Sequence, residues 1–171
     1  MPEHFVFEPE QALATLARHD VDFVVIGGYA TVLHGSSHFT TDADVCADKQ
    51  PDNLVKLAGA LREMHARIRT DAVPEGVEFA CDAAFLERMA MVNLITKHGA
   101  FDISFQPTAF PAGYVELAER AVEVEILGER VKVASLHDII SSKAAADRPK
   151  DRAVLPQLYA LEDEIEQQRD S

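Results

Sequence analysis

The sequence predicts one α+β domain with a helical C-terminal part, and three observations carry that expectation. A β-branched and aromatic run stops at a glycine pair and gives way to helical spacing, an acidic segment alternates strictly, and two hairpin-like stretches precede a wholly helical end. The chain has 171 residues, 47% hydrophobic and 26% charged, with 8 Gly and 8 Pro, which is a globular composition. That is one domain's length, and a chain of about 150 residues buries roughly 70% of the surface its unfolded form exposes. No repeat or low-complexity linker divides it, so residues 1–171 read as one unit: a sheet-containing core to about 134, then C-terminal helices from about 135.

Between residues 8 and 19, Leu13, Leu16 and Ala17 fall at helical spacing, and Asp20 ends the pattern. Residues 21–26 then read as a strand, Gly27-Gly28 as a turn and 29–33 as the start of a helix. Residues 42–48 alternate, with Ala43, Val45 and Ala47 on one face and Asp42, Asp44, Cys46 and Asp48 on the other. Pro51 opens a helix to about residue 65, with Leu54, Leu57, Ala58 and Leu61 as its apolar stripe. The next section is less legible. Two strand-like runs, 89–96 and 100–106, follow it, joined by Lys97-His98-Gly99; Phe101, Ile103 and Phe105 face a core, and Asp102 and Ser104 face away. A second hairpin pairs 122–126 with 130–133. Ser135 caps a helix carrying Leu136, Ile139 and Ile140 towards Ala146, and Pro149 begins a last helix that ends in an acidic run.

Lys and Arg number 16 against 29 Asp and Glu, a formal net charge of −13. Such a chain is repelled by nucleic acid and anionic lipid unless its cations cluster, so a polyanion would have to be met locally or through metal. Cys46 and Cys81 form at most one pair, which excludes a disulfide framework or a four-cysteine zinc site and favours a reducing, cytoplasmic setting. The first thirty residues lack a basic segment followed by an apolar one, and no uncharged apolar run approaches the roughly 20 residues of a membrane helix. Neither an export signal nor a membrane partner is expected.

Asp42 and Asp44 are two apart on one strand face. Two like charges about 4 Å apart at an effective dielectric near 20 repel by roughly 4 kcal/mol, so such pairs hold a divalent cation, share a proton, or lie on a solvated edge. An all-oxygen donor set favours Mg²⁺ or Mn²⁺ over zinc. Asp102 adds a third carboxylate on another strand, again opposite the core. Gly27-Gly28 stands where a strand turns into a helix, a place where backbone N–H groups can approach a phosphate, although it lacks the spacing of a dinucleotide or P-loop motif.

The stretch Phe23-Val24-Val25-Ile26-Gly27-Gly28-Tyr29-Ala30, with His34-Gly35 and Thr40-Thr41-Asp42-Ala43-Asp44-Val45, resembles the polymerase-β-type nucleotidyltransferase superfamily. Within it, the chain is similar to small prokaryotic members of the AbiEii toxin type. Phe101-Asp102-Ile103 matches the strand bearing the third acid, and Ser142-Lys143 with Arg148-Pro149-Lys150-Asp151 looks like the C-terminal helical motif. The resemblance spans roughly residues 20–160. It implies a mixed sheet flanked by helices, with Gly27 and Gly28 binding a nucleoside triphosphate (NTP) and Asp42, Asp44 and Asp102 holding Mg²⁺ or Mn²⁺ as the catalytic acids. Lys143 would point at the phosphates. Two ions so held would orient the triphosphate, neutralise the leaving pyrophosphate and lower the pKa of an acceptor hydroxyl.

The activity implied is transfer of a nucleoside monophosphate to a hydroxyl of RNA or protein, in a toxin's role with a cognate antitoxin. Two other readings stay open. One is a nucleotide- or metal-binding module that has lost turnover, motivated by His38, where these relatives usually carry arginine; a titratable ring replaces an always-charged fork. The other is a transferase acting on a small molecule such as an aminoglycoside, against which stands the lack of an obvious second substrate domain.

The remaining candidates have plainer readings. His34 and His38 are four apart, but Gly35-Ser36-Ser37 between them would end a helix, so a buttress for the site loop is expected rather than zinc. Cys46 reads as a filler beside the acids, and Asp48 as a strand-end acid. Arg62, Arg67 and Arg69 read as a solvated surface, with contact to an anionic acceptor as the alternative. Lys143, Arg148, Lys150 and Arg152 form a second cationic group that either serves the nucleotide or pairs locally, as Lys150 and Asp151 would with the helix dipole.

Overall fold

The computed structural model describes residues 5–171. Helix α1 (Pro9–Arg18) is opened by proline at its first turn and leads into β1 (Phe23–Ile26), α2 (Gly27–Leu33) and β2 (Asp42–Ala47). Then come α3 (Pro51–Glu63), β3 (Arg67–Ile68), α4 (Ala83–Glu87), β4 (Met91–Thr96) and β5 (Gly99–Ser104). The chain closes with α5 (Tyr114–Arg120), the hairpin β6 (Val122–Ile126) and β7 (Glu129–Val133), and helices α6 (Leu136–Ala146) and α7 (Pro149–Arg169). Seven strands form one mixed sheet in the order β3-β4-β5-β2-β1-β7-β6. Only β2–β5 and β1–β7 are parallel; the other neighbours run antiparallel.

Alternation in the central strands separates a core face from a site face. Val25, Val45, Phe101 and Ile103 join Leu13 and Leu16 of α1 and Leu54, Leu57 and Leu61 of α3 in one continuous hydrophobic core. Each such side chain contributes about 1.5–3 kcal/mol when fully buried, so this layer fixes the strand register on which the site depends. Helices α6 and α7 pack through a smaller cluster of Leu136, Ile140 and Leu158. Ser135 caps α6 as expected, its Oγ accepting from Asp138 N at 3.1 Å. Among the described residues no helix is long and apolar enough to cross a membrane.

The structure departs from the expected elements where partners are distant in sequence. Val21 and Asp22 lie outside β1: Asn53 Oδ1 accepts from Asp22 N at 2.7 Å, and Asn53 Nδ2 donates to the carbonyls of Asp22 and Asp48 at 3.1 and 2.7 Å. One buried amide thus clamps the entry to β1 and the exit from β2. The poorly legible middle holds β3 and α4, and α5 follows β5. A two-residue strand carries no pattern of its own and exists by pairing with Leu94 and Ile95 of β4 on one side and, through Ile68, with Val77 on the other. Helix α4 is five residues, capped by Asp82, whose Oδ1 accepts from Phe85 N at 2.8 Å.

Candidate active site

Asp42 and Asp44 share a face of β2, and the parallel register sets Asp102 of β5 directly beside Asp44. One carboxylate oxygen from each of the three lies within 4.8 Å of the others. Held so close and partly buried, Asp44 and Asp102 resist ionisation. Burial, then the charges of Asp42 and Asp102, push the Asp44 carboxyl up to about 7, while Lys143 and Lys150 pull it down. Asp102 rises to about 6 through burial, opposed by the Arg69 guanidinium and reinforced by Asp42. Arg69 Nη2 donates to Asp102 Oδ1 at 2.9 Å, and its Nη1 donates to the Leu94 carbonyl at 3.0 Å. Even with that one internal cation, a hard, all-carboxylate donor set with excess negative charge fits Mg²⁺ or Mn²⁺.

The glycine pair is shaped by these acids. Gly27 sits at φ +72°, and a Cβ there would run into the Asp44 carboxylate, so both backbone conformation and close approach require glycine. A Cβ on Gly28 would press against Thr40 Oγ1 at 3.2 Å and the His38 ring at 3.4 Å. Thr40 in turn donates to the Asp42 carbonyl at 3.0 Å, tying the incoming loop to the first acid.

Gly27, Gly28, His38 and the three acids line a cleft of about 830 Å³, and Lys143 of α6, Arg148 at the N-cap of α7 and Lys150 of α7 line it as well. Asp151, buried on α7, accepts from Arg148 Nε at 2.6 Å and Nη2 at 3.1 Å, and lies 3.9 Å from Lys143 Nζ. Burial pushes the Asp151 carboxyl up, but its hydrogen bonds from Arg148 and the charges of Arg148 and Lys143 hold it below its ordinary value. Burial likewise pushes Lys143 down, and Asp151 counters that by stabilising the ammonium.

A family model described as "Nucleotidyltransferase of unknown function (DUF6036)" matches residues 6–163. The chain belongs to this nucleotidyltransferase family. No curated protein matches the sequence significantly. Among solved structures, a lincomycin-bound lincosamide antibiotic adenylyltransferase aligns at a TM-score of 0.60 and 17% identity, over 92% of this chain and 99% of that one. A candidate nucleotidyltransferase from Thermotoga maritima aligns at 0.55 and 16%, over 94% and 99%. The antibiotic-resistance protein ANT(2")-Ia, in complex with adenylyl-2"-tobramycin, aligns at 0.52 and 16%, over 86% and 82%. At these identities the likeness concerns the fold: a mixed sheet flanked by helices, common to nucleotidyltransferases.

In this nucleotidyltransferase the six residues singled out from sequence, Gly27, Gly28, Asp42, Asp44, Asp102 and Lys143, come together on one cleft. Cys46 does not join them, although it shares their strand face. The segment 105–113 covers that end: Cys46 is fully buried with Sγ 3.9 Å from the Phe105 carbonyl, and burial, then Asp48, push its thiol up to about 12. His34 is structural, its Nε2 within 2.8 Å of the Ala134 carbonyl, which joins the end of α2 to the β7–α6 junction. Arg69 and Asp151 are functional candidates that the spacing of motifs missed. Arg69 is not free surface; it is committed to Asp102, 33 residues away. No local signal marks it. Asp151 was legible beside Lys150: it accepts from Arg148 N at 3.2 Å in the first turn of α7, as pairing with the helix dipole requires, and its burial against Arg148 and Lys143 adds the neighbouring charges.

Proposed function

We propose that this transferase moves a nucleoside monophosphate from an NTP to a hydroxyl of a small molecule held in the 830 Å³ cleft. The observation that carries the reading is the convergence of three carboxylates on adjacent strands beside Gly27, with Lys143 on the same cleft. Asp42, Asp44 and Asp102 would hold Mg²⁺ or Mn²⁺, which when bound supplies charge neutralisation at the phosphates and a lowered pKa for the acceptor hydroxyl. Gly27 and Gly28 would turn backbone N–H groups towards the triphosphate, and Lys143 would set a point charge at the phosphates. The acceptor oxygen bonds to the α-phosphorus as the bond to the bridging oxygen breaks; pyrophosphate leaves, and the hydroxyl proton passes to a carboxylate of the trio, Asp102 in this reading.

Three facts support a small acceptor. The cleft volume lies in the range of small-molecule sites, roughly 300–1,000 Å³. A net charge of −13 disfavours a long polyanion. The lincosamide adenylyltransferase is covered over 99% of its length by this chain, so the fold needs no second substrate domain for such an acceptor. A macromolecular reading, an RNA or protein acceptor with a toxin's role in the cytoplasm and a cognate antitoxin, draws on Phe39. That ring is 78% exposed on the loop leading into the acids, where it could stack on a base or meet a partner. His38 in the cleft supports a third reading, binding without turnover.

Offered each NTP with Mg²⁺ or Mn²⁺ and a cell extract, the wild type is expected to release pyrophosphate and label an acceptor, whereas Asp44→Ala does neither. Absence of label from a folded wild type would overturn the transferase reading, and NTP binding by calorimetry without pyrophosphate release would favour the binding module. The size of the labelled product separates a small acceptor from a macromolecular one.

A further inference from the structure

We infer that the acceptor is an uncharged, hydroxyl-bearing small molecule with an apolar face, rather than a polycation or a polyanion; this rests on the transferase reading above. The inference comes from how charge is distributed around the cleft. In the sheet order β4-β5-β2-β1, the acids on β5 and β2 stand between two different surroundings. On the β1 side are Gly27 and Gly28, and the cations Lys143, Arg148 and Lys150 complete the part of the cleft suited to a triphosphate. The acceptor must therefore approach from the β4 side, where Asn93 lies directly opposite Asp102.

That wall is neutral. From Asn93 and Met91 on β4 it continues through Ser104, Gln106, Thr108 and Phe110, and among the described residues no charged side chain lines this stretch. Two further acids line the cleft, but neither is available to a cationic ligand. Asp138 accepts from Arg120 Nε at 3.1 and 2.9 Å, and Asp151 is held by Arg148 and Lys143. A polycation would thus find only the acids committed to metal, and on the β4 side a polyanion would find a single cation among the described residues, Arg69, already engaged by Asp102 at 2.9 Å. What the wall offers is hydrogen bonding and apolar contact. Asn93, Gln106 and Thr108 are exposed, and the Gln106 amide has only a 3.4 Å contact to the Pro111 carbonyl. Met91 is 55% exposed on the same side. Exposed amides and hydroxyls beside a bare thioether suit a neutral ligand that is polar on one edge and apolar on the other.

The product's charge tests this without knowledge of the acceptor's identity. Wild type is incubated with Mg²⁺, a mixture of the four α-³²P-labelled NTPs, and three acceptor sources: a small-molecule cell extract, total cellular RNA and protein, and tobramycin. A neutral acceptor yields a phosphodiester with one negative charge, so the label should be acid-soluble, elute as a monoanion on anion exchange, and be retained on a reversed-phase column. Label that is acid-precipitable, bound by a cation exchanger, or polyanionic and acid-soluble would overturn the inference while leaving nucleotidyl transfer standing. No label in any fraction would overturn the transferase reading and this inference with it. Gln106→Ala, an exposed substitution, should raise KM for the labelled acceptor about threefold or more with KM for NTP unchanged. An unchanged acceptor KM would remove the β4 wall from the acceptor site.

Discussion

Asp44 and Asp151 are aspartates on the same cleft, and their carboxyls move in opposite directions. Asp44 is pushed up to about 7, first by burial and then by other acids; Asp151 stays below its ordinary value because Arg148 and Lys143 outweigh its burial. The strand floor concentrates like charge and leaves it unsatisfied, with Arg69 offsetting only part. The helical side carries its own counter-ions and is complete by itself. The difference separates what this part of the molecule supplies from what it requires: the floor calls for an added cation, and on the α6–α7 side Asp151 holds Lys143 at the cleft, where an anion would meet it.

The strongest way to break the comparison is Asp44→Asn. Transfer should fall on the order of 10³-fold or more, because several kcal/mol of transition-state stabilisation depend on the metal. The same change should raise the metal-free Tm by about 2–4 °C, as expected for relief of about 1 kcal/mol in a chain of this size. A lower metal-free Tm would mean that the floor is not under electrostatic strain. Asp151→Asn has the reverse sign. It leaves Arg148 and Lys143 without their carboxylate, and urea denaturation should record a loss of about 2–3 kcal/mol, the scale of hydrogen bonds to charged groups.

A smaller effect follows from pH. Asp44 and Asp102 have folded pKa values of about 7 and about 6, above the 3.8 of an ordinary aspartate, so the folded state binds more protons than the unfolded one between those limits. Their stabilising contribution is complete below about pH 4 and is lost as pH rises towards 7. Metal-free protein should accordingly melt higher at pH 5 than the same two groups allow at pH 8, and saturating Mn²⁺ should remove or reverse that trend. Mn²⁺ affinity should rise up to about pH 7 and level off above it. A melting profile indifferent to both pH and Mn²⁺ would count against the trio as a metal site. The smallest expected change is in Arg69→Gln: losing a cation beside Asp102 should tighten Mn²⁺ binding a few-fold by calorimetry. Weaker binding would assign Arg69 to orienting Asp102 rather than to competing with metal.

The legible parts of the molecule are those whose cause is local. The alternation through Asp42, Asp44 and Asp102, the glycine pair after β1 and the Ser135 cap are all written in residues a few positions apart, and each is found where its spacing placed it. Arg69, Asn53 and β3 were not legible, since each acts through a partner between 26 and 33 residues away. Cys46 is the buried filler expected beside the acids, but what buries it was not legible for a related reason. Alternation gives a side chain's face but not what covers that face, and the 105–113 segment arrives from elsewhere in the chain.

The sequence by itself determined which side chains could carry chemistry: short-range periodicity assigns Asp42 and Asp44 to one strand face and Asp102 to the corresponding face of another. Only the tertiary structure decided that those faces meet. The parallel pairing of β2 with β5 sets Asp44 beside Asp102, α6 and α7 bring Lys143 to the same cleft, and β4 provides a wall without charge. Strand register and helix packing are set by burial of the common core, a property of the whole chain that no local pattern records.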